Sequence, residues 1–431
     1  MTRLDVGGAR WRYLTLIALR WLPTGLLIPI FVLLPLSRGL SLTEIGIVFS
    51  VQGFVVLALE LPTGGLSDSL GRRPVLILAS VIGLLSLGLI FVADSVAMFA
   101  AAMFLQGIYR ALDSGPLEAW YVDATLAADP DARIESGLGA GSTVLSLAIA
   151  SGALLAGGLI ALDPIPAIDG LALPVLIALG LHVVNLVAIV ALMREVRTAR
   201  GPRAVATSVA AVPGVIRDGI RLLRSSRVLL ALIGVELFWG FSMVTFEGLF
   251  PIRLAEVIGA TDDAAALMGP VSSAAWFASA AGAAVIATVS RRIGVPRSAA
   301  LLRILQGLAI VGMGVLAGPV GVVTAYLACY VTHGASNPMH TTLLHRQVDG
   351  PHRTTVLSMN SMVSQPAGAI GAIVLAALAD GTSVTMAMVV GGIVCAAAAP
   401  LYIPAWRAER RRQAAPDEIP PASAEVSDSA A

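Results

Sequence analysis

Twelve apolar runs, each long enough to cross a lipid bilayer as a helix, leave this chain few folds to choose from. They are read at residues 13–36, 43–63, 74–93, 97–120, 137–161, 171–193, 228–252, 264–289, 299–317, 320–343, 355–378 and 383–405. About 20 mostly apolar residues suffice for one crossing. In lipid every backbone polar group must be satisfied within the protein, so helices are expected. The short alternating segments of a membrane β-barrel are absent. Only 13% of the 431 residues are charged, against about 25% in a soluble domain. A formal net charge of +1 gives no global field that would draw in nucleic acid. Cys329 and Cys395 both fall inside expected spans, so a disulfide has no support. A cleaved signal peptide is not expected, because Arg20 interrupts the first run and no small-residue cleavage site follows.

Arginine placement sets an expected orientation. All 28 basic residues are Arg, and 23 of them fall on one side if both termini share that side. The opposite loops hold only Arg38 and Arg253, and three more (Arg20, Arg110, Arg303) sit within or at the ends of spans. Cytoplasmic loops carry the excess of Lys and Arg. Both termini are therefore expected inside a cell inner (plasma) membrane.

Between the second and third runs lies Gly64-Gly65-Leu66-Ser67-Asp68-Ser69-Leu70-Gly71-Arg72-Arg73. This reads as a short, doubly basic hairpin. It resembles the signature loop of the major facilitator superfamily, with Gly64, Asp68, Gly71, Arg72 and Arg73 on the pattern and Ser69 departing from it. The resemblance implies twelve helices in two pseudo-symmetric six-helix bundles around a cavity, working by alternating access. It also implies a gating latch. Asp68 would face the start of span eleven, and the loop cations would meet an acid at the inner end of span four, where Asp123 lies. The bland alternative is that Arg72 and Arg73 serve topology alone.

The expected division is an N-terminal bundle over 1–193, a cytoplasmic loop over 194–227, a C-terminal bundle over 228–405 and a tail over 406–431. Ile216, Ile220 and Leu223 are spaced along one helix face with Arg217, Arg221 and Arg224 beside it, as in a helix lying on the membrane surface; a solvated linker is the alternative. The tail from Gln413 is rich in Pro, Ala, Ser and acids and is expected to be disordered. An offset of 223 residues sets Ser69-Leu70-Gly71 on Arg292-Ile293-Gly294, Arg110 on His333 and Ser114 on Asn337, a faint internal repeat.

An ionisable side chain inside a span is costly unless it is paired or wetted. Those present are Arg20, Glu60, Arg110, Asp113, Glu118, Glu236, Glu247, His333 and His340. Arg110 and Asp113 are three apart and can pair within their helix, either as a self-neutralised pair or as a coupling element. In proton-coupled drug exporters of the superfamily an Arg precedes Gln-Gly by three residues; here that position is Met103, with Arg110 two turns along. Glu60, beside Pro62, is either a structural partner of Arg20 or a proton carrier. Glu247 is read as lying near the outer end, in reach of water. Glu236 has no nearby cation on its own span, and burial disfavours the charged form of a carboxylate in general. It is the first candidate for proton carrier, with Asp113 second. His333 and His340 share a face; His333 is a candidate for carrying a proton or facing substrate, and with Asn337 for lining the cavity, while no third ligand suggests a metal. Gly152 to Gly158 is similar to the glycine motif of antiporters in the family, and is explained equally by small-residue packing.

No nucleophile, metalloprotease or phosphate-cradling motif stands out, so neither enzymatic activity nor a cofactor is expected. The resemblance implies a monomeric secondary transporter in a lipid bilayer, a small-molecule substrate and protons as coupling ion. The form expected is an exporter of small apolar or amphipathic molecules. An importer of a nutrient or metabolite, or a transport-inactive sensor of the same fold, are the alternatives.

Overall fold

A computed structural model describes residues 4–194, 226–347 and 353–414, with isolated positions between 210 and 224. The surroundings of Gly64, the side chain of Asp68, the 194–227 loop as a whole and the tail from 415 lie outside the described residues. Of the isolated positions, Leu223 packs against the core of the second half, and Arg217, Arg221 and Arg224 are exposed.

The chain is a helical membrane protein; among the described residues its helices make twelve crossings and no strand occurs. The first crossing is α1 (Val6–Leu27) with α2 (Leu33–Ser37), and the next two are α3 (Leu42–Leu70) and α4 (Arg72–Val92). The fourth is α5 (Val96–Asp113) with α6 (Pro116–Ala128), followed by α7 (Ile134–Leu162) and α8 (Leu173–Leu192). The second half opens with α9 (Arg227–Val244), a π-helical turn (Thr245–Leu249) and α10 (Phe250–Ile258), together one crossing. It continues with α11 (Thr261–Ile293), α12 (Val295–Val315), α13 (Gly318–His345) and α14 (Arg353–Gly381). The last crossing is α15 (Val384–Ala397), extended by a 3₁₀ turn (Ala399–Tyr402) and α16 (Ile403–Ala414).

Nine of these crossings are long and apolar enough to span by composition alone, among the described residues. The other three are α1–α2, α5–α6 and α13. These carry Arg20, Arg110, Asp113, His333 and His340, so what weakens their apolar character is the set of groups that the interior uses.

Two expected boundaries shift. The segment 64–70 is not a loop but the last two turns of α3, and the hairpin is reduced to Gly71. Its φ of 93° is open to glycine at little cost and joins two helices directly. The fourth span is broken at Ser114-Gly115, because Gly115 takes φ 93° and Pro116 starts a new helix at its first position.

The internal repeat is visible in the backbone. Gly71 and Gly294, 223 residues apart, hold nearly the same dihedrals (93°, 152° and 86°, 152°). Each starts a 21-residue helix, α4 and α12. Helix packing repeats as well. In the first half α1 packs on α7 and α8, α4 on α5 and α8, and α3 on α5. In the second half the matching pairs are α9 on α14 and α15, α12 on α13 and α15, and α11 on α13. Between the halves α3 packs on α14 and α7 on α11. A two-fold exchange of halves carries each of those contacts into the other.

Small residues make these approaches possible. A Cβ on Gly157 of α7 would lie 2.6 Å from the carbonyl oxygen of Ala266 on α11, and one on Gly269 would lie 2.7 Å from that of Ala153. A Cβ on Gly152 of the same α7 run would run into the Leu22 carbonyl oxygen of α1. The expected glycine motif therefore lies where backbones touch.

Candidate functional site: a charged cavity between two bundles

Three groups of polar side chains lie inside the bundle, each held by helices that the apolar packing fixes. The first belongs to the N-terminal half. Arg20 of α1 forms an ion pair with Asp113 at the end of α5. It also donates to Thr24 Oγ1 at 3.1 Å and lies over the rings of Trp21 and Tyr109, at 4.5 and 4.8 Å. Tyr109 in turn meets His182 edge-on at 5.3 Å.

This corrects the expected pairing of Arg110 with Asp113 and of Glu60 with Arg20. Three residues on a helix leave two side chains about 60° apart. That angle turns Asp113 toward α1 and Arg110 toward the space between the halves.

The second group occupies that space. Arg110 has Glu60 of α3 and Glu247 of the π-helical turn within electrostatic reach. Arg110 and Glu247 are both exposed side chains within their crossings. Glu60 accepts a hydrogen bond from Ser361 of α14 at 3.2 Å, across the two halves. Glu247 is therefore not a group near the outer end, as its position suggested. The chain runs on through α10 to Ile258, which leaves Glu247 on an irregular turn partway along the crossing. Such turns are frequent at functional sites.

The third group lines a cavity of about 250 Å³ in the C-terminal half. Its walls are Glu236 and Trp239 of α9, Arg303 of α12, His333, Ser336, Asn337 and His340 of α13, and Asn360, Ser361 and Ser364 of α14. Glu236 is 4% exposed, which demands partners. It lies 3.3 Å from His340 Nε2, is hydrogen-bonded by Asn360 and has Arg303 within electrostatic reach. His340 Nδ1 lies 3.1 Å from the Tyr402 hydroxyl, and its Nε2 lies 3.1 Å from Asn360 Oδ1. The acceptors around Nε2 place a proton on that nitrogen and leave Nδ1 to accept from Tyr402 when the ring is neutral. Arg303 donates to Gln306 Oε1 at 2.9 Å.

Glu236 has no cation near it on its own span beyond Arg227, but neighbouring spans supply Arg303 and His340. Arg303 is 3% exposed. An arginine within a span was itself the sequence signal for it. Asn360, Ser361 and Tyr402 carried no such signal, since neutral polar residues are common in spans. No group of three metal-ligating side chains occurs among the described residues.

At the arginine-rich end, Arg72 pairs with Asp123 of α6, and Arg73 donates to the Val190 carbonyl of α8 at 2.7 Å. Gly71 places both cations in the first turn of α4, where they reach those neighbours. At the opposite end Asp380 of α14 accepts from the first turn of α3. Nearer the middle of the helices, Ser273 Oγ of α11 donates to the Ala150 carbonyl of α7.

Two six-helix halves related by a repeat, with charged side chains and a polar cavity among their helices, are the architecture of a secondary transporter. Residues 14–334 match the Major Facilitator Superfamily, and the chain belongs to that family. Its fold is that of several solved transporters at low sequence identity. A variant of the nucleoside transporter NupG is 12% identical with a TM-score of 0.77, over 92% of this chain and 99% of that one. A bacterial homologue of the human lysosomal transporter Spinster, in an inward-facing and occupied conformation, is 14% identical with a TM-score of 0.75, over 94% and 98%. A structure described in terms of substrate recognition in proton-dependent oligopeptide transporters is 12% identical with a TM-score of 0.70, over 94% and 99%. No curated protein matches the chain.

Proposed function

We propose that this chain is a proton-coupled exporter of small amphipathic molecules, acting as a monomer in a cell inner membrane with both termini in the cytoplasm. The observation that carries the reading is Glu236. It is a carboxylate at a cavity wall, held by His340, Asn360 and Arg303 rather than locked in one tight ion pair. A group whose partners sit on three other helices changes environment when those helices move, and that is what coupling to a proton requires. The cavity joins hydrogen-bonding walls to the Trp239 ring, which suits a ligand with polar and apolar parts. No nucleotide-binding motif stands out in the sequence, so an ion gradient or the substrate's own gradient would drive transport. Arg72, Arg73, Asp123 and Asp68 form the gate at the cytoplasmic end, and Arg20 with Asp113 holds the N-terminal half rigid.

The test uses the full chain in sealed vesicles with an imposed pH gradient and a panel of amphipathic compounds. Glu236→Gln is expected to abolish uphill, pH-driven movement and to leave downhill exchange. Full pH-driven movement by that variant would remove Glu236 as carrier, and pH-independent flux in the unaltered protein would remove proton coupling.

A second reading, uptake of a polar metabolite, is favoured by the many amide and hydroxyl groups on the cavity wall and by the nucleoside and oligopeptide names of the structural relatives. Vesicles of known orientation distinguish the two directions.

A further inference from the structure

Arg303 of α12 is a buried cation with no carboxylate bound to it. It is 3% exposed, and a guanidinium keeps its charge. A charge buried to that degree needs partners. Arg20, in the other half, has Asp113. No ion pair among the described residues includes Arg303. Its hydrogen-bonding neighbours are neutral. Nη1 donates to Gln306 Oε1 at 2.9 Å, and the Tyr402 hydroxyl lies beside it. Nε is buried with no acceptor.

The carboxylate in the same cavity is engaged elsewhere. Glu236 lies 3.3 Å from His340 Nε2 and is hydrogen-bonded by Asn360. It attracts Arg303 without pairing with it. Arg303 is thus part of the wall of a cavity of about 250 Å³, with donor capacity that the protein leaves unfilled. A carboxylate fills it best, because two charge-assisted hydrogen bonds can form at once.

The same wall carries rings. The Arg303 guanidinium lies 5.9 Å from the centre of the Trp239 ring. Trp239 stacks on His333 at 5.8 Å with 14° between the planes, and His333 also meets Phe246 at 5.5 Å and Tyr330 at 5.9 Å. Trp239 and His333 are half-buried and line the cavity, so a flat surface stands beside the cation. Aromatic rings stack on such a surface.

We propose that Arg303 is an anion subsite of this cavity and takes the carboxylate of a small aromatic monocarboxylate, whose ring lies against Trp239. The subsite names a substrate class for the transport reading above and rests on it.

The experiment measures binding of three indoles to the full chain in lipid nanodiscs: the anion indole-3-acetate, the neutral indole-3-acetamide and the cation tryptamine. The acetate is expected to bind on the order of tenfold more tightly than the amide. Arg303→Gln is expected to remove that preference while leaving the amide unchanged, and Arg303→Lys to restore part of it. Glu236→Gln is expected to strengthen the acetate, because a neighbouring negative charge is gone. Trp239→Leu is expected to weaken acetate and amide alike, several-fold. If the Arg303 variants do not fold, the preference of the unaltered chain and its response to Glu236→Gln decide. Equal binding of acetate and amide, or acetate affinity unchanged in Arg303→Gln, would overturn the subsite. Tryptamine binding more tightly than the acetate would overturn it in favour of a cation at Glu236. If none of the three binds while vesicles still show pH-driven flux of another compound, the transport reading stands and the carboxylate class falls. Acetate that binds through Arg303 but is never moved by vesicles leaves the subsite standing and removes the transport reading.

Discussion

Asp380, in the last turn of α14, caps the first turn of α3: its carboxylate accepts the backbone N–H of Thr43 at 2.6 Å and that of Leu42 at 3.3 Å. A side-chain cap normally comes from the residue before its own helix. Here it comes from the other half of the molecule, 337 residues further on. It ties the halves together at the end opposite the arginine-rich loops. Opening that end separates α14 from α3 and breaks the cap. A lost cap costs about 1 kcal/mol, so Asp380→Ala is expected to raise the population open at that end about fivefold. Distances between spin labels at Gly39 and Thr382, both exposed, measure it. An unchanged distance distribution would show that the cap does not bias the equilibrium.

The crossing of Gly157 and Gly269 at the other interface makes a second prediction. Gly269→Val places new atoms against the Ala153 carbonyl and the Gly157 Cα. Overpacking of this kind costs about 1–3 kcal/mol, and it falls on the present arrangement of the halves. The same label pair is expected to shift toward longer distances, and transport to slow. A variant that keeps the short distance with normal transport would show that the glycine contact yields without strain.

For the Arg20–Asp113 pair, neither side chain is accessible enough for water to replace its partner. Asp113→Leu alone leaves a buried guanidinium unpaired, at a cost of about 3–5 kcal/mol. The double change Arg20→Met with Asp113→Leu is expected to recover most of that loss. Thermal unfolding of the detergent-solubilised protein compares the two. A double variant no more stable than the single one would mean that Arg20 has a further structural partner.

Asp68→Asn tests the gate. Insertion rests on apolar spans and arginine placement, which the change preserves, so membrane levels are expected to stay normal while transport falls severely. Normal transport would leave residues 64–73 with a topological role only.

Orientation is checked with reporters. Fusions at Gly201 and after Arg412 are expected to be active only as cytoplasmic reporters, and a signal from the far side at either point would reverse the topology.

The sequence by itself determined the fold class, the span order and the repeat. Each follows from a property carried along the chain. Bilayer thickness sets the length of an apolar run. The asymmetry of arginine follows the loops. The 223-residue offset recurs in the dihedrals of Gly71 and Gly294. Candidate charges were legible for the same reason, since an ionisable residue in lipid stands out from its neighbours.

Who pairs with whom was decided only by tertiary structure. Asp113 is three residues from Arg110 in sequence but meets Arg20, 93 residues away, because a helix has sides and α1 lies on that one. Glu247 looked peripheral when its span was measured by apolar run. The π-helical turn and α10 carry the crossing further, which leaves Glu247 partway along it. Asn360, Ser361 and Tyr402 are ordinary in sequence and gain a role only where α14 and the end of the last crossing close around Glu236, Glu60 and His340. Local pattern fixes what each helix is, while the direction in which each polar face points depends on packing against helices far away in the chain.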